Sequence, residues 1–233
     1  MLHLYQVARL ILEARAASGG TMAIASLCTT QMADLGRLSF ANKQAYCRKY
    51  GYGFVGAGDT LDASRPASWS KIILVRECLE HFEWVFWSDA DSVIVNDQIP
   101  LTRFVQGRTE HFIVGRDFNG INCGQFFLRR SPQTIDFLNR VYAQPDLIYH
   151  YWWEQAAIVR LLETGKAGID VCYAPHFAFN CSPENFRDGD FLVHVAGGGD
   201  RLKTLQSFLD GTNEMLAPPP APQAPFAQMP DAG

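Results

Sequence analysis

The sequence contains no apolar run of the roughly 20 residues that a bilayer-spanning helix needs. Its amino-terminal stretch, MLHLYQVARLILEARAASGG, is broken by Gln6, Arg9 and Glu13, which also denies it the unbroken apolar core of a secretory leader. Basic residues are not in excess. The 20 Lys and Arg stand against 24 Asp and Glu, a net charge of −4, so bulk attraction to a nucleic-acid backbone is excluded. There is no Cys-x-x-Cys pair. The six cysteines, Cys28, Cys47, Cys78, Cys123, Cys172 and Cys181, are scattered rather than arranged as in small disulfide-stapled domains, and are expected to be mostly buried, reduced thiols. The expected location is cytoplasmic, with peripheral contact to the inner face of a membrane left open. No internal repeat is present.

What remains is ordinary globular material. With 233 residues, 48% hydrophobic and 19% charged, the chain has enough apolar surface for one sizeable core and is neither disordered nor coiled coil. Residues 1–20 read as an amphipathic segment, 21–210 as one domain, and 211–233 as a tail. In that tail APPPAPQAPFAQMPDAG has no apolar periodicity to offset its ordering entropy, so it is expected to be disordered or extended. Between 21 and 210, short apolar runs alternate with amphipathic stretches, the pattern of an α/β layered fold. Strands are expected at Met22–Cys28, Tyr52–Val55, Trp84–Trp87, His111–Gly115, Ile121–Arg129, Ile169–Tyr173 and Phe191–Ala196. Ser92–Val95 is expected to be extended. Helices are expected at Asp34–Tyr50, where Leu35, Leu38, Ala41, Ala45 and Arg48 mark one face and Gly51 ends it, at 69–81, from Pro132, and at Trp152–Glu163.

The sharpest chemical feature is WVFWSDADSVIVN. Here an apolar strand delivers Asp89 and Asp91 to the end of a sheet, and residues two apart on an extended chain point the same way. Two adjacent carboxylates repel unless a cation lies between them, and Mg²⁺ or Mn²⁺ bound to phosphate oxygens suits that place. The plainer reading is that both aspartates only solvate a turn. A third reading is a haloacid-dehalogenase-type phosphatase, since Asp89-Ala90-Asp91-Ser92-Val93 fits its opening motif with Asp89 as nucleophile. Against it, some 88 residues precede the motif, and the later acidic motif is missing, because Gly189-Asp190 is followed by His194.

A different context covers more of the chain. NKQAYCRKYGY (Asn42 to Tyr52), SWSKIILVRECL (Ser68 to Leu79), WVFWSDADSVIVN, NGINCGQFFLRRS (Asn119 to Ser131), WEQAAIVRLL (Trp153 to Leu162) and FLVHVAGG (Phe191 to Gly198) resemble successive blocks of glycosyltransferase family 34. That family holds fungal α-galactosyltransferases and plant xyloglucan xylosyltransferases. The resemblance implies a GT-A type, Rossmann-like three-layer α/β domain with a central mixed, mostly parallel sheet. It also implies a retaining transferase that uses Mn²⁺ (or Mg²⁺) and a UDP-sugar, with galactose the first expectation and xylose, glucose or mannose behind it. The acceptor would be a glycan or glycolipid. An inactive sugar-nucleotide-binding protein on the same fold is the non-enzymatic alternative.

By motif, the resemblance assigns Asp89, Asp91 and His194 to the metal and Glu154 and Gln155 to the reacting face. Lys71, Asn122, Gly124 and Gly197 are assigned to the donor. Thr29, with Thr30, ends the first strand at the carboxyl edge where ligands of such folds bind. Some of these have a plainer alternative: His194 as a core histidine, Lys71 as a solvated helix charge, Glu154-Gln155 as partners of a helix dipole. Trp69 is expected to pack rather than stack on ligand. Plant relatives place a lysine where this chain has Gly199, so either Arg201 or Lys203 replaces it or the phosphate contact is lost.

Overall fold

A computed structural model describes residues 2–117 and 120–212; the expected tail from 213 on lies outside the described residues. Helix α1 (Leu2–Ser18) leads into strand β1 (Met22–Leu27), α2 (Ala33–Tyr50), β2 (Gly53–Ala57), α3 (Ser70–Leu79) and β3 (Trp84–Ser88). There follow β4 (Ser92–Ile94), α4 (Thr102–Val105), β5 (Phe112–Asp117), β6 (Gly120–Arg129), α5 (Pro132–Tyr142) and α6 (Trp153–Glu163). The chain continues through β7 (Val171–Pro175), β8 (Leu192–His194) and α7 (Arg201–Leu209).

Six strands form one sheet in the order β2-β1-β3-β6-β5-β7. Only β6 runs against the others, pairing antiparallel with β3 and β5, so the sheet is mixed and mostly parallel as expected. Side chains alternate between two cores with the period of a strand. Ala23, Ala25, Val85 and Trp87 face one core with α1, α3, α5 and α6. Met22, Ile24, Trp84 and Phe86 face another with Tyr46 and Cys47 of α2. Because both faces are covered, all five residues of β3 are buried, which is why WVFWS reads as an unbroken apolar run. Val7, Ile11 and Ala14 place α1 in the first core. Among the described residues no helix is long and apolar enough to cross a membrane.

The structure differs from the sequence reading in several places. The buried face of α2 is Leu35, Gly36, Ser39, Lys43, Tyr46 and Cys47, whereas Ala41, Ala45 and Arg48 are exposed. Polar residues face inward because that stretch of α2 lies over backbone carbonyls that need donors. The strand around His194 joins β4 in a separate two-stranded ribbon rather than the main sheet. Helix α7 is not among the expected elements, although Asp200 caps it by accepting from Lys203 N at 3.0 Å, and Leu205 and Phe208 bury one face. Both are legible signals.

Gly51 ends α2 in the left-handed region at φ 68°, and a Cβ added there would meet nothing within 4 Å. Gly51→Ala is therefore expected to cost about 1–2 kcal/mol through backbone conformation alone. The check is a lower urea midpoint with an unchanged m-value; an unaltered midpoint would show that the helix end does not depend on this residue.

Candidate active site

The site lies where β3 ends at the carboxyl edge of the sheet. The two aspartates are not on an extended strand as expected: β3 stops at Ser88, β4 begins at Ser92, and residues 89–91 make the tight turn between them. The turn is fixed by hydroxyls: Ser92 Oγ donates to Asp89 O at 2.6 Å, and Ser88 Oγ and Ser92 Oγ are 2.9 Å apart. Convergence of the carboxylates comes from this turn and not from the pleat.

The β4–β8 ribbon brings His194 to the two aspartates. Its register pairs Ser92 with His194, and Val195 N donates to Asp91 O at 2.9 Å, which fixes the imidazole beside the turn. His194 Nε2 lies 3.3 Å from Asp91 Oδ1. On the other side of the ring, Nδ1 is 2.9 Å from Asn180 Oδ1, while Asn180 Nδ2 donates to Asn122 O at 3.4 Å. Since the amide's donor is thus engaged elsewhere, its oxygen accepts from Nδ1–H, and Nε2 keeps its lone pair for a metal. Ligand atoms of Asp89, Asp91 and His194 all lie within 4.8 Å of one another, so the three could hold one ion. His194 is a buried histidine, but with its free nitrogen turned to two carboxylates rather than into the core.

Lys71 joins this cluster to Glu154. Its Nζ is 2.7 Å from Glu154 Oε1, 3.2 Å from Asp89 Oδ1 and 3.0 Å from Cys123 O, and it lies buried over the Trp87 ring. The solvated-charge reading of Lys71 is thereby overturned. Burial pulls its pKa down, but Asp89 and then Glu154 outweigh that and hold it above the usual ammonium value. Trp87 Nε1 also donates to Asp89 Oδ1 at 2.7 Å. Glu154 is only 4% exposed, and its Oε2 has no hydrogen-bond partner. Gln155 Oε1 accepts from Cys123 N at 2.9 Å, which ties the head of α6 to β6.

That stretch of β6 is irregular: its register with β5 shifts between Val114 and Gly115, a bulge of the kind that re-aims side chains. Asn122 Oδ1 accepts from Gly124 N at 2.9 Å, so the asparagine oxygen is spent on its own strand. Gly124 leaves room for a protein group: an added Cβ would overlap His194 Cε1. Gln125 is fully buried with neither amide atom paired.

Two further cations neutralise the turn. Arg201 Nη1 is 3.0 Å from Asp91 Oδ2, whereas Lys203 is exposed, so of the two candidate replacements it is Arg201 that reaches the cluster. Burial pushes the Asp91 carboxyl up, but His194 and then Arg201 overcome this and hold it well below the usual carboxylate range. Sequence reasoning gives Lys43 no role, yet it is wholly buried and donates to Asp89 O at 2.6 Å, Ser39 Oγ at 2.9 Å and Ser88 O at 3.3 Å. Burial lowers its pKa to about 7 against the opposing pull of Asp89 and Asp91. The available signal is a lysine on the inward stripe of a helix. Asn180, in the loop before β8, leaves no such signal. Thr29 follows β1 at the same carboxyl edge. Gly197 is exposed at φ +106°, and Trp69 packs as expected, fully buried with Nε1 donating to Ile148 O at 3.0 Å.

Two substitutions test this geometry. Gly124→Ala is expected to displace the His194 ring and weaken Mn²⁺ binding by about tenfold or more with the fold retained, read by titration calorimetry and circular dichroism. Lys43→Met removes one of the two donors from each of the Ser88 and Asp89 carbonyls, which keep Ser26 Oγ and Ser92 Oγ, and is expected to cost about 1–3 kcal/mol of stability, measured by urea unfolding. Wild-type values in either case would remove that contact from the account.

Residues 25–106 match the galactosyl transferase GMA12/MNN10 family. An uncharacterized alpha-1,2-galactosyltransferase of Schizosaccharomyces pombe is 27% identical over 240 aligned positions, covering 75% of this chain and 67% of that protein. An alpha-1,2-galactosyltransferase of the same yeast is 23% identical, covering 67% and 54%. The chain thus spans about two thirds of the first relative's length and little more than half of the second's. Among solved structures, a glycosyltransferase involved in the glycosylation of the major capsid of PBCV-1 superposes with a TM-score of 0.66 at 17% identity, over 80% of this chain and 98% of that one. This last likeness concerns the fold, which is of the GT-A type. The ordered motif blocks are now assembled around one site, and the family match over residues 25–106 together with these relatives supports the chain's resemblance to glycosyltransferase family 34.

Proposed function

We propose that this chain is a metal-dependent retaining glycosyltransferase that moves a sugar, galactose in the first instance, from a UDP-linked donor to a hydroxyl of a glycan or glycolipid with α linkage. The observation that carries this reading is the Asp89–Asp91–His194 triad, whose ligand atoms lie within 4.8 Å of one another and which Lys71 connects to Glu154. The donor set fits a divalent ion, and its imidazole nitrogen favours Mn²⁺ over Mg²⁺, which prefers an all-oxygen shell. Such an ion, bound to the diphosphate, would stabilise the charge that develops on departing UDP.

The remaining work falls to side chains and backbone. Asp89 and Asp91 fix the diphosphate end of the donor, with Thr29 and the backbone of the Gly197 turn beside it. Lys71 keeps Asp89 and Glu154 in register and supplies positive charge where the phosphate leaves. Asn122 and Gly124 border the sugar, where the Asn122 amide nitrogen is a donor for a hydroxyl. As the bond from the anomeric carbon to phosphate breaks, its electron pair goes to UDP and the acceptor oxygen enters from the same face. The acceptor's proton passes to the departing phosphate oxygen. Glu154, with one oxygen held by Lys71 and the other unpartnered, stabilises the positive charge that builds on the ring, and Gln155 holds the head of α6 against β6. Six free thiols, five of them buried, suit the reducing cytoplasm as the place of action.

Calorimetric titration with UDP, with and without Mn²⁺, followed by UDP release from a panel of UDP-sugars, tests the proposal. Metal-dependent binding with release from UDP-galactose is the expected outcome, and Asp91→Ala and His194→Ala are each expected to weaken that binding by about tenfold or more. Binding without turnover of any donor would make the chain a sugar-nucleotide-binding protein. Affinity unchanged in both variants would remove the metal assignment.

A further inference from the structure

The residues that lead into the catalytic helix form an aromatic surface that the donor chemistry does not use. Tyr149, His150, Tyr151, Trp152 and Trp153 run without interruption into Glu154. Tyr149 and Tyr151 are 81% and 84% exposed, and Trp152 and Trp153 are 49% and 46% exposed. His150 braces the run, with Nδ1 accepting from Trp152 N at 3.1 Å. Soluble proteins seldom leave rings of this size in water without a binding role. Trp and Tyr also offer large rigid contact at low entropic cost.

Two independent features tie this surface to a ligand. Trp153 is the sole non-glycine with positive φ among the described residues, at 42°, a costly conformation for a bulky side chain and one typical of functional positions. It turns the chain within one residue from an exposed ring to a carboxylate that is 4% exposed. At that carboxylate, Glu154 Oε2 is buried with no hydrogen-bond partner, one residue along the chain from the last of the rings.

We propose that Tyr149, Tyr151, Trp152 and Trp153 are the acceptor platform, on which a neutral chain of pyranose sugars stacks so that its terminal hydroxyl reaches the Glu154 end of the site. The proposal rests on the transferase reading. A ring face accepts the C–H groups of a pyranose, while the indole N–H and phenol O–H satisfy its hydroxyls. Charge favours a sugar chain over a lipid surface: from Val141 to Val159 there is no Lys or Arg, and the charged residues are Asp146 and Glu154. Peripheral helices that seek anionic membranes carry basic residues among their aromatics.

The test uses the full chain and the variants Tyr151→Ala and Trp152→Ala, both at exposed positions where folding tolerates truncation. Intrinsic tryptophan fluorescence is titrated with cellohexaose, maltohexaose, xylohexaose and mannohexaose in the presence of Mn²⁺ and UDP. At least one oligosaccharide is expected to shift the emission of the wild type. Each variant is expected to bind it about tenfold more weakly, with UDP–Mn²⁺ affinity and hydrolysis of UDP-galactose by water unchanged. No response to any of the four at millimolar concentration overturns the platform, as does equal affinity in both variants. Sedimentation with phosphatidylcholine–phosphatidylglycerol vesicles that the variants lose would likewise overturn it in favour of a membrane contact. The platform is scored on the oligosaccharide titration and the transferase reading on UDP–Mn²⁺ binding, so the two fail separately.

Discussion

Three carboxylates, Asp89, Asp91 and Glu154, crowd one edge of the sheet, and the rest of the site is organised by the need to hold them there. At an effective dielectric constant near 20, two like charges about 4 Å apart repel by about 4 kcal/mol, a large fraction of the stability of a typical domain. Lys71 lies between Asp89 and Glu154, Arg201 and His194 flank Asp91, and Lys43 sits beneath the turn with its ammonium on backbone oxygens. The three cations come from different elements, α3, α7 and α2, and the His194 imidazole from a fourth, β8. The network therefore clamps the layers together at the same place where it prepares a cation site. Removing one partner from such a buried arrangement costs more than the pair contributes, because it strands a charge.

Backbone geometry gives the network its precision. A turn rather than a strand brings the aspartates together, the β4–β8 pairing sets His194 beside them, and the shift of register in β6 opens the strand where Asn122 and Gly124 sit. Gly124 links these features, since any side chain there would meet the histidine ring. Asn180 then completes the arrangement by choosing which imidazole nitrogen faces the two carboxylates. A bound diphosphate would meet a site whose ligands are already oriented, which lowers the reorganisation required as the reaction proceeds.

The strained entry to α6 extends the same logic outward. Its first residues pass from rings in solvent to a buried carboxylate to a glutamine that holds β6, so one short segment connects the protein surface to the reacting centre. An acceptor on that surface would be positioned by the element that also carries Glu154, and this coupling is what proximity and orientation in catalysis require.

Much of this was legible in the sequence. The covered sheet follows from the apolar runs MAIASL and WVFWS, the end of α2 from Gly51, and the adjacent carboxylates of the candidate cation site from Asp89 and Asp91, because these signals depend on neighbours along the chain. The resemblance to glycosyltransferase family 34 followed from the order of several motif blocks. Tertiary structure alone decided what depends on contacts between distant segments: that Asp89 and Asp91 converge through a turn, that Lys71 faces inward to Glu154, that Arg201 and not Lys203 reaches Asp91, and that Lys43 and Asn180 belong to the site at all. Lys43 and Asp89 are 46 residues apart, and Arg201 and Asp91 are 110 apart. No local pattern encodes such pairs, because what selects them is the electrostatic cost of three carboxylates brought together only when the sheet, the ribbon and the helices close over one edge.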